Sequence, residues 1–188
     1  TIKKITAIIF CIIIFTVNIS AFAEELPPSV VDEADILLDS QESELKVILD
    51  SLRTKYNMDV SIVTTKDTDG KSAMAFADDY FDYNGYGCGA NDDGIMLVVS
   101  MGTREYHFTT HQRGITVFND NALIYFEDEV VPYLSAGNYY SAFMTYAECA
   151  EEILIMEANG EYFTCSPETR ATGYAIALFI PLIIALIV

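Results

Sequence analysis

Two uncharged apolar runs stand near opposite ends of this chain, and the residues between them must build any globular fold. The first run, Ile5 to Val17, follows Lys3 and Lys4 and precedes the small-residue pattern Ala21-Phe22-Ala23. A basic start, an apolar stretch and small residues in this order are typical of a cleavable secretory signal peptide, which we predict over residues 1–23. The alternatives are a buried helix or a first membrane span, but the run is shorter than the roughly 20 residues a span needs.

The second run predicts a membrane anchor. Residues 171–188 contain no charged side chain, and from Tyr174 onward they are almost wholly apolar. We predict a linker over 161–172 and a transmembrane helix over 173–188, in which Pro181 is tolerated. The alternative is a buried C-terminal core helix. Together the two ends predict a cell-membrane protein whose globular part is extracytoplasmic.

The charge of the remaining chain restricts its partners. The whole sequence carries −18, and the first 23 residues hold two Lys and no acid, so the rest carries −20. Such a surface repels nucleic acid and favours cations or cationic partners, which excludes a nucleic-acid-binding function. The alternative interpretation of the charge is solubility alone.

Residues 24–160 predict one α/β domain with a mixed central sheet layered by helices. Helical spacing, alternation and Gly-rich loops place its elements in the order helix, strand, helix, strand, strand, helix, helix. The predicted helices are 41–56 (with Ser40 as N-cap), 72–83, about 121–134 and 138–159, and the predicted strands are 58–65, 95–100 and 104–110, with loops over 84–94 and 111–119.

Several of these segments together resemble the TPM domain family. The opening Val30 to Leu37, the strand Asp59 to Thr65 and the Gly-bearing block Asn84 to Val99 match the family in order and spacing, as do Arg104 and Gly114. The resemblance implies a compact α/β fold that is often secreted and membrane-tethered. It also implies a shortlist of roles: photosystem repair in thylakoids, acid phosphatase activity, and binding of a divalent metal such as calcium.

An acidic loop is the candidate metal site. If strands 58–65 and 95–100 are parallel, loops 84–94 and 111–120 share one end of the sheet. Asn91, Asp92 and Asp93 would then face Asn119 and Asp120 there. Carboxylate and amide oxygens are the ligands that Ca²⁺ and Mg²⁺ prefer, so we predict Asn91, Asp92, Asp93 and Asp120 as metal ligands. The alternative is turn chemistry, since Asn-Asp-Asp-Gly suits a tight turn.

The sequence offers little for catalysis. His107 and His111 lie four residues apart on one predicted strand face, which suits either a metal face or partly exposed strand positions. No phosphatase signature accompanies them. We therefore expect a binding and assembly module for envelope proteins that uses a divalent cation such as Ca²⁺. The alternatives are a metal-dependent, acid-phosphatase-like hydrolase using Asp92 and Asp93, and a structural tether without a ligand site.

Overall fold

The fold is centred on a four-stranded sheet, which a computed structural model describes within residues 26–164. Strands β1, β2 and β3 are parallel neighbours, and β4 pairs antiparallel with β3 at the far edge. The elements, in chain order, are β1 (Val30–Asp32), α1 (Asp39–Tyr56), β2 (Asp59–Thr65), α2 (Ala73–Tyr83), β3 (Gly94–Ser100), β4 (Glu105–His111), α3 (Arg113–Val117), α4 (Asp120–Ser135) and α5 (Tyr139–Ala158). The predicted α/β domain with a mixed sheet is confirmed.

Helices cover both faces of the sheet, because β2 and β3 are apolar on both sides. All seven residues of each of these strands are buried. On one face, Ile62 and Leu97 pack with residues of α1, α4 and α5 in the larger core. On the other face, Val63 and Met96 pack with Ala77 and Phe81 of α2 in a smaller core.

The two connections between parallel strands, β1–α1–β2 and β2–α2–β3, have opposite hands. Each connects a strand to its next parallel neighbour in the same direction across the sheet, but α1 lies on one face and α2 on the other. One of them therefore departs from the right-handed preference for such connections. The chain therefore leaves the carboxyl ends of β1 and β2 toward opposite faces of the sheet.

The Asp32 carboxylate, at the carboxyl end of β1, binds the loop that follows the strand. The Asp32 carboxylate accepts hydrogen bonds from the N–H groups of Ile36 (2.9 Å) and Leu37 (2.8 Å) and from the Thr64 hydroxyl. These bonds shape the loop that leads into α1. Asp32 is thereby occupied in holding the loop.

Two local predictions need correction, and one strand was not predicted. Ser40 was predicted as the N-cap of α1, but α1 begins at Asp39 after Leu38, whose N–H donates to the Gln41 side chain at 3.0 Å. The three-residue strand β1 was not predicted, because an apolar run that short has no measurable period. The short helix α3 lies inside the predicted loop 111–119.

The predicted signal peptide (1–23) and transmembrane segment (173–188) lie outside the described residues, as does most of the predicted linker (161–172). Between residues 26 and 164, every helix is too short or too polar to cross a bilayer.

Candidate functional site

The amino ends of β2 and β3 gather two buried carboxylates, each held by an arginine. Asp59 is the first residue of β2, and Asp93 immediately precedes β3. The Asp59 N–H donates to the Asp93 carbonyl at 3.0 Å, which ties the two positions together. This pair and its arginines form the site that we call the carboxylate–arginine cluster: Arg53, Asp59, Asp93 and Arg113.

Asp59 is fully buried and every oxygen of its carboxylate is used. Its Oδ1 accepts from Arg53 Nη2 at 2.7 Å and Nε at 3.3 Å, and its Oδ2 accepts from the Gly87 N–H at 2.8 Å. Arg53 also donates to the Pro27 carbonyl at 2.9 Å. A carboxylate removed from water is stable only with such partners, so this pair fixes α1 and loop 84–93 on β2.

Asp93 is bound by Arg113 in two ways. Its Oδ1 accepts from the Arg113 backbone N–H at 3.0 Å, and its Oδ2 lies 3.4 Å from the Arg113 Nε. The first contact satisfies one of the free N–H groups at the start of α3. The second places a positive charge beside the carboxylate and lessens its attraction for a free cation.

Arg113 also joins two distant segments, the ends of α5 and α1. Its Nη1 donates to Glu157 of α5 at 3.0 Å, and its Nη2 donates to the carbonyls of Tyr56 (2.8 Å) and Asn57 (3.0 Å) at the end of α1. The position depends on Gly114, because a Cβ there would lie 2.1 Å from the Gly94 carbonyl oxygen. Only a glycine lets α3 lie this close to β3.

The four predicted metal ligands differ in exposure, since Asp93 is buried and the other three are exposed. Asn91 and Asp92 are exposed, and Asp92 adopts a left-handed conformation with φ of 58°. Asp120 is exposed in the first turn of α4, and the Asn119 side chain caps that helix by accepting from two N–H groups. Loop 84–93 does meet the segment after β4, but through the contact of Asp93 with Arg113.

Across residues 26–164, no three or more Asp, Glu, His or Cys side chains are grouped closely enough to hold a metal ion. A cation at Asp93 would therefore have to displace Arg113 or recruit its remaining ligands from solvent.

The two histidines lie on the α2 face of β4. His111 stacks on Phe81 with ring centroids 3.8 Å apart, and its Nδ1 lies 3.5 Å from Asp82. Burial lowers the pKa of His107, against a smaller raising effect of Asp78. His107 is therefore mostly neutral at pH 7.

Cys88 lies beside the cluster without nucleophilic character. Burial, with the nearby Asp59 charge, raises the pKa of its thiol to about 11. At neutral pH the thiol is protonated, and the thiolate is the reactive form. Cys88 therefore behaves as a small apolar side chain.

A comparison with protein-family models matches residues 30–153 to the TPM domain. The chain belongs to the TPM domain family. The match includes the whole sheet and the first three-quarters of α5, and so it contains the whole carboxylate–arginine cluster.

Relatives of this TPM domain agree with that assignment. The UPF0603 protein YdjH of Bacillus subtilis (strain 168) is 28% identical over 126 residues, which cover 67% of this chain and 48% of YdjH. The chain thus spans about half the length of this curated relative.

Two solved structures share the fold of this TPM domain. The N-terminal domain of a P. gingivalis protein gives a TM-score of 0.61 at 21% identity, covering 74% of this chain and 88% of its own. The N-terminal domain of the cg2496 protein of Corynebacterium glutamicum gives 0.56 at 15% identity, covering 69% and 81%. At these identities the likeness concerns the fold alone.

Neither ion pair of this TPM domain, Arg53 with Asp59 or Arg113 with Asp93, was predicted from the sequence. Arg53 and Asp59 are six residues apart, with the end of a helix and the start of a buried strand between them, which is a usable signal for a pair. Arg113 and Asp93 are joined across a hairpin. Only the strand register reveals that contact. Gly94 pairs with His111, and this pairing brings Asp93, just before Gly94, close to Arg113, just after His111.

Proposed function

We propose that this chain is a binding and assembly module for envelope proteins, held at a membrane with its TPM domain outside the cytoplasm. The observation that carries the proposal is the charge of the folded domain. Residues 26–164 hold 25 of the 28 acidic side chains and only 7 of the 10 basic ones. Most surface carboxylates therefore have no basic side chain of the domain to pair with, and they favour a cationic partner.

The state of the buried groups supports binding over hydrolysis. A general base must be free to reach a substrate proton, whereas the Asp59 and Asp93 carboxylates are both engaged by arginines. The Cys88 thiol is protonated at neutral pH. These groups stabilise the fold at the amino ends of β2 and β3.

Dependence on a divalent cation is part of the proposal, with Asn91 and Asp92 as the accessible ligands. Because the Arg113 charge lies beside Asp93, we expect binding in the range of about 10⁻⁴–10⁻³ M that is found for weak extracellular calcium sites.

The proposal is tested by photo-crosslinking in intact cells. A photoreactive amino acid is placed at exposed positions of the domain in the full chain, and the crosslinked products are identified by mass spectrometry. We expect envelope proteins with basic segments, and we expect the yield to fall as ionic strength rises. Crosslinks to cytoplasmic proteins alone, or turnover of a phosphate ester that Asp92→Asn abolishes, would contradict the proposal.

A further inference from the structure

The outer edge of β4 is open. Among residues 26–164, β4 pairs with β3 over seven successive residues without a bulge, and no further strand pairs with its other side. Within residues 26–164, the backbone groups of 105–110 make no hydrogen bond beyond the ladder with β3. In an antiparallel edge strand every second residue turns its N–H and C=O outward. The strand contains no Pro or Lys, which commonly protect such edges.

Helix α2 forms an acidic wall beside this edge. The Thr109 hydroxyl donates to Asp78 at 2.6 Å, and Asp82, one turn later, lies 3.5 Å from His111. The Glu105 side chain lies on the same face and accepts from the Ala73 N–H at 3.2 Å. Three carboxylates therefore line the α2 side of β4.

Helix α4 forms the wall on the other side, where apolar side chains are accompanied by the Glu127 carboxylate. Burial, together with this charge, raises the pKa of Tyr106. Phe108 stacks on Phe126 with centroids 5.3 Å apart, which places α4 over β4. The Leu123 and Val131 side chains are half-buried, and each of these residues follows a buried residue of the core in the sequence. Tyr106 is also half-buried. Near Glu105 this side widens into a cavity of about 330 Å³ lined by Tyr106, Val131, Leu134 and Tyr139, among others.

We propose that β4 binds an extended segment of a partner protein as a fifth strand, and that this segment alternates basic and apolar residues. Successive side chains of a strand point to opposite faces, so the basic residues would meet Asp78, Asp82 and Glu105 while the apolar ones meet Tyr106 and Leu123. Backbone hydrogen bonds supply affinity, and the two walls supply selectivity. The inference rests on the proposed function, for which it names the contact surface and the partner chemistry.

The test uses a fluorescent, end-capped heptapeptide with the sequence Lys-Val-Lys-Val-Lys-Val-Lys and the full chain. We expect saturable binding by anisotropy, together with slower hydrogen–deuterium exchange in residues 105–111. The same peptide with N-methyl groups on alternate residues keeps its charge but loses backbone donors, and a peptide with its four Lys in one block loses the alternation. We expect both to bind at least tenfold more weakly.

The matched variants remove two charges each. In Asp78→Asn with Asp82→Asn, position 78 still offers an acceptor to Thr109, so we expect an unchanged fold and roughly tenfold weaker binding, from two exposed charge contacts. The control, Asp39→Asn with Glu148→Gln, removes two exposed charges from α1 and α5, and we expect binding as in the unmodified chain.

Three outcomes would overturn the inference: equal binding of the N-methylated peptide, no protection of β4, or self-association through β4 that the peptide does not disturb. Photo-crosslinking in intact cells separates failure of the β4 edge as contact surface from failure of the proposed function. Capture of the same envelope partner by the variant with Asp78→Asn and Asp82→Asn would leave the proposed function standing and refute the edge as its contact surface.

Discussion

At the scale of single residues, the domain depends on two ion pairs, one buried and one partly exposed to solvent. Arg53 and Asp59 are almost completely buried, whereas about a third of the Arg113 side chain is exposed. Removal of one member of a buried pair leaves an uncompensated charge, and that is costlier than loss of a partly solvated contact. We therefore expect loss of Arg53 to destabilise the fold more than loss of Arg113.

We expect Arg53→Met to lower the free energy of unfolding by about 3–5 kcal/mol, because the Asp59 charge is then buried without its partner. Urea unfolding measures this change. Asp59→Asn loses the acceptor for the Gly87 N–H but should cost less, since Arg53 keeps the new amide oxygen, the Pro27 carbonyl and Asp50 as partners. If the two variants were equally stable, buried charge would not be the cause.

The two buried thiols predict a dependence of stability on pH. Burial raises the pKa of Cys88 to about 11 and that of Cys149 to about 12, from an ordinary value of 9.0. The folded state holds these protons more tightly than the unfolded state. The free energy of unfolding should therefore be independent of these thiols below pH 9 and fall as pH rises from 9 to 12.

Urea unfolding at pH 7, 9 and 10.5 tests this dependence, and replacing both cysteines by Ala should flatten the decline. Tyr86 and Tyr125 are controls within the chain, because burial raises the pKa of both hydroxyls and part of the decline should persist in the double variant. An identical slope in both proteins would assign the effect to the tyrosines alone.

At the scale of elements, β4 has residues of positive φ just before and just after it. Arg104 has φ of 59°, and Gln112, with φ of 49° and ψ of −115°, joins β4 to α3. The conformation of Gln112 is one that glycine adopts far more readily than other residues. This strain is the reason that α3 could not be predicted, because the sequence His111 to Gly114 gives no sign of an abrupt change of direction.

Gln112→Gly should therefore stabilise the domain by about 0.5–1 kcal/mol, because relief of strain exceeds the added entropy of the unfolded chain. Thermal unfolding measures the change. Ser135→Gly is the control. Ser135 is exposed in the last turn of α4, so this change should lower the free energy of unfolding by a few tenths of a kcal/mol. A destabilised Gln112→Gly would show that the glutamine conformation is not strained.

The longer elements were predictable, and the short ones and the long-range contacts were not. Leu45, Leu49 and Leu52 recur at helical spacing in α1, and the run over β3 is continuously apolar, so both elements were predicted within two residues of their observed ends. In contrast, the contact of Asp93 with Arg113 depends on the hairpin register. The residue types of the acidic loop suited a metal site, but Arg113 of α3 lies beside the buried carboxylate of that loop.

At the scale of the whole molecule, excess negative charge works against compactness. With 25 acidic and 7 basic side chains between residues 26 and 164, like charges repel across the surface, and salt screens that repulsion. We expect the Tm to rise by several degrees between about 10 mM and 300 mM NaCl. Choline chloride at equal ionic strength should give the same rise.

Calcium chloride at the same ionic strength separates screening from binding. A larger rise than with NaCl, lost in Asp92→Asn, would support the proposed cation site. An equal rise in both salts and in both proteins would leave screening as the whole effect and remove the cation from the proposal.

The Arg113 side chain has a mechanical consequence. It fastens the last turns of α5, through Glu157, to the end of α1 and to the loop before β3. Tension applied to the chain after α5 would not simply peel that helix away, because the load would pass through one guanidinium group to two other elements. Arg113 would then act as a latch that decides how much force the domain bears before its last helix detaches.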